Sequence, residues 1–570
     1  MGATNISGRL FARVGLLGGV QTEFEYSLDV ANAGVLFALP ALLSNGLLRS
    51  LDKYFTMPAG YYTLEHIFLV IAFLALCRVK ALEQLRYCAP GEWGKVLGLD
   101  RIPEVKTLRE KIDVLSKQKH AKEWSATLSK EWMESDTQSA GVLYVDGHTR
   151  VYHGSQTKLP RHYVARERLC LRATVDYWVN AMDGQPFFRV NQTVDPGLQD
   201  VLRREIIPAL LKDVPDQPTE EQLRDNLLLH RFTVIFDREG YSPAFMLEMK
   251  VMRIAIITYH KFPKGNWDVG EFAPYKSIEK STGTTKELLL AERGTLLPNG
   301  LWIREIRCLK NNEHQTSIMS TDYLSNLMSI AVELFARWAQ ENYFKYMREN
   351  YGLDRLIDYS TESIPDTTKV VNPEYRTISS KVRSIAATLA RRKVEFSDLQ
   401  LIGDIDPQNV QPYVQKKTAI QQDIETISAA LQKLKEDRKS ILKHITIKDL
   451  PPDQRFNALG FESKHLVDTI KMIAYRAETA LAETLKEYLG DKEDARMLIK
   501  RLCTSHGDLI PDKQNKTLTV RLHHQTCKSQ DVAIEKLCAE LNDTQSVFPG
   551  TEIRLFYECS GNAVDNRNQI

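Results

Sequence analysis

Three acidic residues carry the strongest chemical signal in this 570-residue sequence. Asp146 ends the apolar run Gly-Val-Leu-Tyr-Val-Asp, 141–146, and Asp237 ends a second, Phe-Thr-Val-Ile-Phe-Asp, 232–237. Glu341 lies inside the helical pattern that spans 335–348. Two aspartates at strand ends and one glutamate on a helix form a set of hard oxygen donors. Such a set suits Mg²⁺, with Mn²⁺ as a substitute, and a pair of such ions can clamp the attacking and leaving oxygens of an in-line phosphoryl displacement. Asp146, Asp237 and Glu341 are therefore the expected catalytic residues and the expected ligands of two Mg²⁺ ions.

Each residue also has a plainer reading. Asp146-Gly147 is a strong two-residue hairpin signal. Asp237 stands where it could cap a following helix. Glu341 is four residues from both Arg337 and Lys345, the spacing of a surface ion-pair ladder. The joint order and spacing favour the catalytic reading. Asp146 and Asp237 are 91 residues apart (237 − 146), room for three strands and a helix. Asp237 and Glu341 are 104 apart (341 − 237), room for an inserted β-rich segment. Arg337, Glu341, Lys345 and Arg348 fall near one helix face, so the three cations are expected to grip phosphates beside the carboxylate. Trp338 and Phe344 lie on other faces and are expected to pack.

The surrounding elements must hold these groups. The pattern predicts a hairpin of 142–146 with 150–153, strands at 169–179 and 186–190, and an amphipathic helix at 198–211. A buried strand at 232–236, a helix at 243–250 and a strand at 253–260 follow. Short strands fill a β-rich insertion at 262–320, and one long helix is expected over 322–351. Antiparallel strands, then a helix, then strand–helix–strand is the order of an RNase H-like mixed sheet. The fold class is thus an α/β catalytic core, 136–358, with an α-helical domain before it (1–135) and an α-rich C-terminal region after it.

The region 141–351 resembles the DDE transposases of bacterial insertion sequences, in the branch with a β insertion in its RNase H-like core. That branch carries Tyr-x2-Arg-x3-Glu-x6-Lys on its catalytic helix. Arg337 and Glu341 match its Arg-x3-Glu, Arg348 stands at the lysine position, and Leu334 stands where the tyrosine would be. The resemblance implies metal-dependent hydrolysis of a phosphodiester at an element's end and attack by the freed 3′-hydroxyl. It implies double-stranded DNA as partner, a homodimer in the DNA complex, and a bacterial cytoplasmic, nucleoid-associated protein. A nuclease without strand transfer and an inactive, transposase-derived DNA-binding protein are the alternatives.

The flanks offer weaker signals. Two short helices at 93–99 and 105–115 form a candidate helix-turn-helix whose second member carries Lys106, Arg109 and Lys111 as possible DNA-reading residues. Arg161, Arg166 and Arg168 belong to a basic run that could follow a phosphate backbone. Ile420, Ile424, Ile427, Leu431 and Leu434 step by four and three, a heptad seam in a helical region at 374–448, read as an intrachain hairpin rather than a dimer contact. A small α/β domain is expected at 455–570. Cys503, His506, His523, His524 and Cys527 have zinc-ligand types at loose spacing. Net charge is only +2, so a DNA surface must be local. The eight cysteines lack a disulfide pattern, and no signal peptide is read. The apolar run 67–77 has 11 residues, against about 20 needed to span a bilayer, so it is expected to be a core helix and no membrane role is expected.

Overall fold

The computed structural model describes residues 4–154, 158–164, 166–192, 194–278, 285–310, 313–355, 361–400, 410–525 and 527–559. Its contacts divide into two units: one comprises 1–152, 162–360 and 460–570, the other 153–161 and 361–459. The expected end of the catalytic domain, residue 358, lies outside the described residues.

In the larger unit the N-terminal region is helical apart from β1 (Ser27–Val30). Helix α1 (Leu64–Leu76) is the expected apolar core helix, with residues 66–76 all buried. Thr63 and His66 exchange backbone and side-chain hydrogen bonds at its start, a reciprocal cap that fixes where it begins. Among the described residues no helix is long and apolar enough to cross a membrane. Helices α2 (Pro90–Val96) and α3 (Val105–Ser116) follow, α3 burying Val105, Leu108, Ile112 and Leu115 along one stripe.

Among the described residues the central sheet has ten strands. They are β2 (Val142–Val151), β3 (Arg161–Val164), β4 (Leu169–Asn180), β5 (Pro186–Gln192), β6 (Thr233–Phe236), β7 (Ala255–Tyr259), β8 (Ala273–Ile278), β9 (Thr285–Leu296), β10 (Trp302–Leu309) and β11 (Gln315–Ser320). Helix α4 (Pro243–Val251) links β6 to β7. The spatial order is β3-β4-β2-β6-β7-β11-β10-β9-β8, with β5 also beside β4. β2, β6 and β7 run parallel; β4 is antiparallel to β2, and β5 to β4. The inserted strands β8–β11 extend the same sheet through an antiparallel β11–β7 pair.

Side-chain alternation decides which face each residue serves. Leu143, Val145, Val234, Phe236 and Ile256 join one core cluster, whereas Tyr144, Ile235 and Ile257 join another with Ile330, Ala331 and Leu334. Both faces are covered, which is why β6 and most of β7 read as unbroken apolar runs.

Two expectations about these elements are corrected. The Asp146-Gly147 pair does not turn: β2 continues through it, paired with β4 from Tyr144↔Asn180 to Val151↔Ala173. A Cβ at 147 would lie 3.1 Å from the Tyr177 ring, closer than an ordinary contact, so a larger residue there would push the ring aside. The single helix over 322–351 is instead α5 (Leu327–Phe335) and α6 (Trp338–Tyr346), ending in a π turn at Met347–Tyr351. The Tyr144 hydroxyl donates to the Glu333 carbonyl at 2.6 Å, the acceptor that the Arg337 N–H would use in a continuous helix. That N–H bonds the Leu334 carbonyl instead, and the chain breaks at 336–337.

In the smaller unit, α7 (Pro373–Gln400) and α8 (Val410–Ser440) pack on each other, the intrachain arrangement expected of the heptad seam. Ile420 and Leu431 are buried there, and Arg392 pairs with Asp423 across the hairpin at 3.3 Å.

The last segment returns to the larger unit as α9 (Glu462–Leu489), β12 (Gly507–Asp512), β13 (Thr517–Leu522), α10 (Lys528–Asp543) and β14 (Arg554–Cys559). The expected separation of 1–135 from 455–570 is not how the contacts fall. β1 pairs with β12, Ser27 opposite Leu509 and Val30 opposite Gly507, and α9 packs against α1.

Candidate active site

Strand register brings the two aspartates together. The last paired row of β2 and β6 is Val145↔Phe236, and Asp146 and Asp237 are the next residues on each strand. Adjacent strands lie about 4.8 Å apart, so the two backbones are neighbours. Asp146 is two residues beyond Tyr144, and Asp237 two beyond Ile235, so both share the sheet face covered by α5. The capping reading of Asp237 fails: its side chain makes no cap hydrogen bond, and Ser242 caps α4.

The break before α6 delivers the third carboxylate. Gln340 is 1% exposed, and its amide donates to the carbonyls of Tyr144 and Trp178 and to Asn180 Oδ1 at 2.8 Å. These bonds pin the start of α6 over β2 and β4. Glu341 then falls in the first turn of α6, not mid-helix as expected.

Arg337 ties the site. Its guanidinium is 3.4 Å from Asp146 Oδ2 and 2.6 Å from Glu341 Oε1. Asp237 acts electrostatically on both Arg337 and Asp146. Two carboxylates thus pair with one guanidinium, and a third acts on it through charge alone. Burial, opposed by Arg337 and the Gly147 N–H and reinforced by Asp237 and Glu341, pushes the Asp146 carboxyl up to about 6. The ladder reading of Glu341 holds only for its link to Arg337; that arginine is 8% exposed and shared with a strand residue.

The other expected site residues scatter. Lys345 is exposed on α6 and Arg348 half-buried in the π turn. Arg161 and Arg168 are exposed, whereas Arg166 pairs with Asp354 at 3.2 Å. Asp354 also meets His148 Nε2 at 2.6 Å; despite its burial, His148 and Arg166 hold its carboxyl below the usual range. On α3, Lys106 is exposed, Arg109 pairs with Glu83, and burial pulls the Lys111 ammonium below its usual range. Phe344 packs as expected, stacked on His148 with centroids 5.1 Å apart. Trp338 does not pack: it is 63% exposed, beside Arg337. The expected zinc ligands do not converge as one set. Cys503 is buried, His506 pairs with Asp29 at 2.9 Å, and His523 pairs with Asp508 at 3.1 Å.

Sequence reasoning missed several groups near the carboxylates. Tyr259 closes β7, next to β6, and feels Arg337, Asp237 and Glu341. Tyr177 on β4 donates to Asp195 at 2.7 Å and feels Glu239 and Asp146. Tyr259 was findable, as the terminal residue of the strand parallel to the one that Asp237 follows. Tyr177 was not, because its place depends on the β2–β4 register.

A family model described as "Transposase protein" matches residues 1–561. No curated protein matches the chain. With the match spanning nearly all of the sequence, the chain belongs to this family of transposase proteins.

Proposed function

We propose that this transposase cuts and joins double-stranded DNA by metal-dependent phosphoryl transfer at Asp146, Asp237 and Glu341, on an RNase H-like core. One observation carries the reading: Arg337 pairs with Asp146 on β2 and with Glu341 from the helix above, and Asp237, the residue after the parallel strand β6, acts electrostatically on both Arg337 and Asp146. The strand order β5-β4-β2-β6-β7, with β2, β6 and β7 parallel and β4 antiparallel, supports the fold assignment.

The donor types are those that divalent ions of the Mg²⁺ kind take. Three carboxylates around one guanidinium leave excess negative charge, and all three offer hard oxygens. Asp146, Asp237 and Glu341 would hold two Mg²⁺ ions, which supply charge neutralisation at the scissile phosphate and a more acidic bound water. The chain's own contribution is position. Gln340 fixes the first turn of α6, the sheet fixes the aspartates, and exposed Lys345 and half-buried Arg348 are set to meet phosphates on the same helical stretch. A homodimer holding two DNA ends is part of the proposal.

The test is cleavage of a labelled duplex carrying the DNA that flanks the gene, with Mg²⁺, Mn²⁺ or Ca²⁺. Asp146→Asn, Asp237→Asn and Glu341→Gln should each lose nicking and strand transfer while still binding the duplex. Cleavage by any of these variants would overturn the site. Nicking by wild type without joined products would reduce the activity to that of a nuclease.

A further inference from the structure

A second group of metal-ligating side chains lies in the C-terminal sheet. His524 follows β13, Asp531 sits in the first turn of α10, and Cys559 ends β14. β13 and β14 are parallel and α10 is their crossover, so the ends of both strands and the start of α10 meet on one side. That is where α/β units form ligand crevices. One imidazole nitrogen, one carboxylate oxygen and one thiol sulfur from these residues all lie within 4.8 Å of one another. His524 Nδ1 is 3.0 Å from Asp531 Oδ2, and Cys559 Sγ is 4.0 Å from Asp531 Oδ1.

A tetrahedral zinc ion with bonds of about 2.0–2.3 Å spaces its ligand atoms roughly 3.3–3.8 Å apart. The two distances, 3.0 Å to one Asp531 oxygen and 4.0 Å to the other, lie just outside either end of that range. Asp531 is oriented independently of His524, since its Oδ1 accepts the Gln525 N–H at 2.7 Å. Such a bond is the outer support that ligating carboxylates carry. The buried Cys538 lies seven residues after Asp531, on the same face of α10, close enough to Cys559 to feel its charge. A mixed nitrogen, oxygen and sulfur set selects a borderline transition metal over Mg²⁺.

We propose that His524, Asp531 and Cys559 hold one zinc ion that ties β13, α10 and β14 together. Binding displaces the Cys559 thiol proton to solvent and leaves the fourth position to water. The site is separate from the carboxylate cluster and does not depend on the proposed reaction.

The test uses the full-length, untagged chain without DNA. The protein should retain about one zinc per chain after dialysis. Exchange with Co²⁺ should give ligand-field bands in the visible and a thiolate-to-cobalt charge-transfer band in the near ultraviolet. Cys559→Ser should lose the charge-transfer band. His524→Ala, at an exposed position, should weaken zinc binding at least about tenfold in chelator competition. Asp237→Asn should keep the band, because the carboxylate cluster contains no sulfur. A wild-type protein with no thiolate band, or a band that survives in Cys559→Ser, would overturn the proposal and leave only the His524–Asp531 hydrogen bond.

Discussion

Arg337 reaches Asp146 at 3.4 Å and Glu341 at 2.6 Å, so one buried guanidinium bridges a strand carboxylate and a helix carboxylate. A cation held there neutralises part of the charge that would otherwise force the carboxylates apart. A divalent ion drawn to the same oxygens must compete with it. Arg337 thus organises this site, and a divalent ion bound as proposed would have to displace it.

Replacing Arg337 by Gln should raise Mn²⁺ affinity of the DNA-free protein by about tenfold, equivalent to about 1.4 kcal/mol. Paramagnetic resonance of free Mn²⁺ during titration would read this directly. Unchanged or weaker binding would mean that Arg337 does not oppose the metal and only braces α6.

The Asp146 carboxyl, pushed up to about 6, gives a pH dependence with a definite sign. Its folded value lies above the ordinary 3.8, so the metal-free folded protein binds more protons than the unfolded chain between these values. Stability should fall as pH rises through that window, by up to about 3 kcal/mol. Metal binding should show the opposite trend, losing about tenfold per pH unit below 6 because a proton and the ion compete for one carboxylate. Urea denaturation of wild type and Asp146→Asn between pH 4 and 7 checks the first trend. The slope should be shallower in the variant by the share that Asp146 contributes.

The aspartates were legible because each closes an apolar run, and the period of two then puts both on one face. Their partner's placement was not. The break that sets Glu341 in the first turn of α6 is made by the Tyr144 hydroxyl, 189 residues earlier than Glu333. Local helix propensity contains no trace of that bond. The hairpin expected at Asp146-Gly147 failed for a related reason: β4 runs alongside β2 past the turn signal, and tertiary pairing overrides a dipeptide preference. Helix α9 hid its role differently. Lys464, Asp468 and Glu478 are charged, yet all three are buried, with Lys464 and Asp468 paired at 2.5 Å.

Glu305 offers a stability test inside the β insertion. It accepts hydrogen bonds from Thr295 at 2.8 Å, Ser317 at 2.9 Å and Arg307 at 3.0 Å. Burial opposes its ionisation, but these donors and His260 win and hold the carboxyl at about 2, below the ordinary 4.5. The stabilisation is fully present above the unfolded value and is lost as pH falls through the folded one. Glu305→Ala should cost about 3 kcal/mol at pH 7, a gap that narrows below pH 4.5. A pH-independent difference between wild type and variant would assign the loss to packing alone.

Glu478 links α9 to the end of the stretch that carries Glu341. Its carboxylate, fully buried, pairs with Arg78 at 2.8 Å and accepts from the hydroxyls of Tyr346 and Tyr351. Tyr346 ends α6 and Tyr351 ends the π turn, so this one group anchors both to the core. Removing one partner of a buried ion pair strands the other without solvent, so Glu478→Ala and Arg78→Ala should each cost about 3–5 kcal/mol. Because each single change already destroys the pair, the double variant should cost little more than either alone, leaving a coupling above about 1 kcal/mol in the cycle. Additive losses would show that the two residues act separately. DNA cleavage should fall in Glu478→Ala while duplex binding persists, since the helix that carries Glu341 loses the anchor at its end.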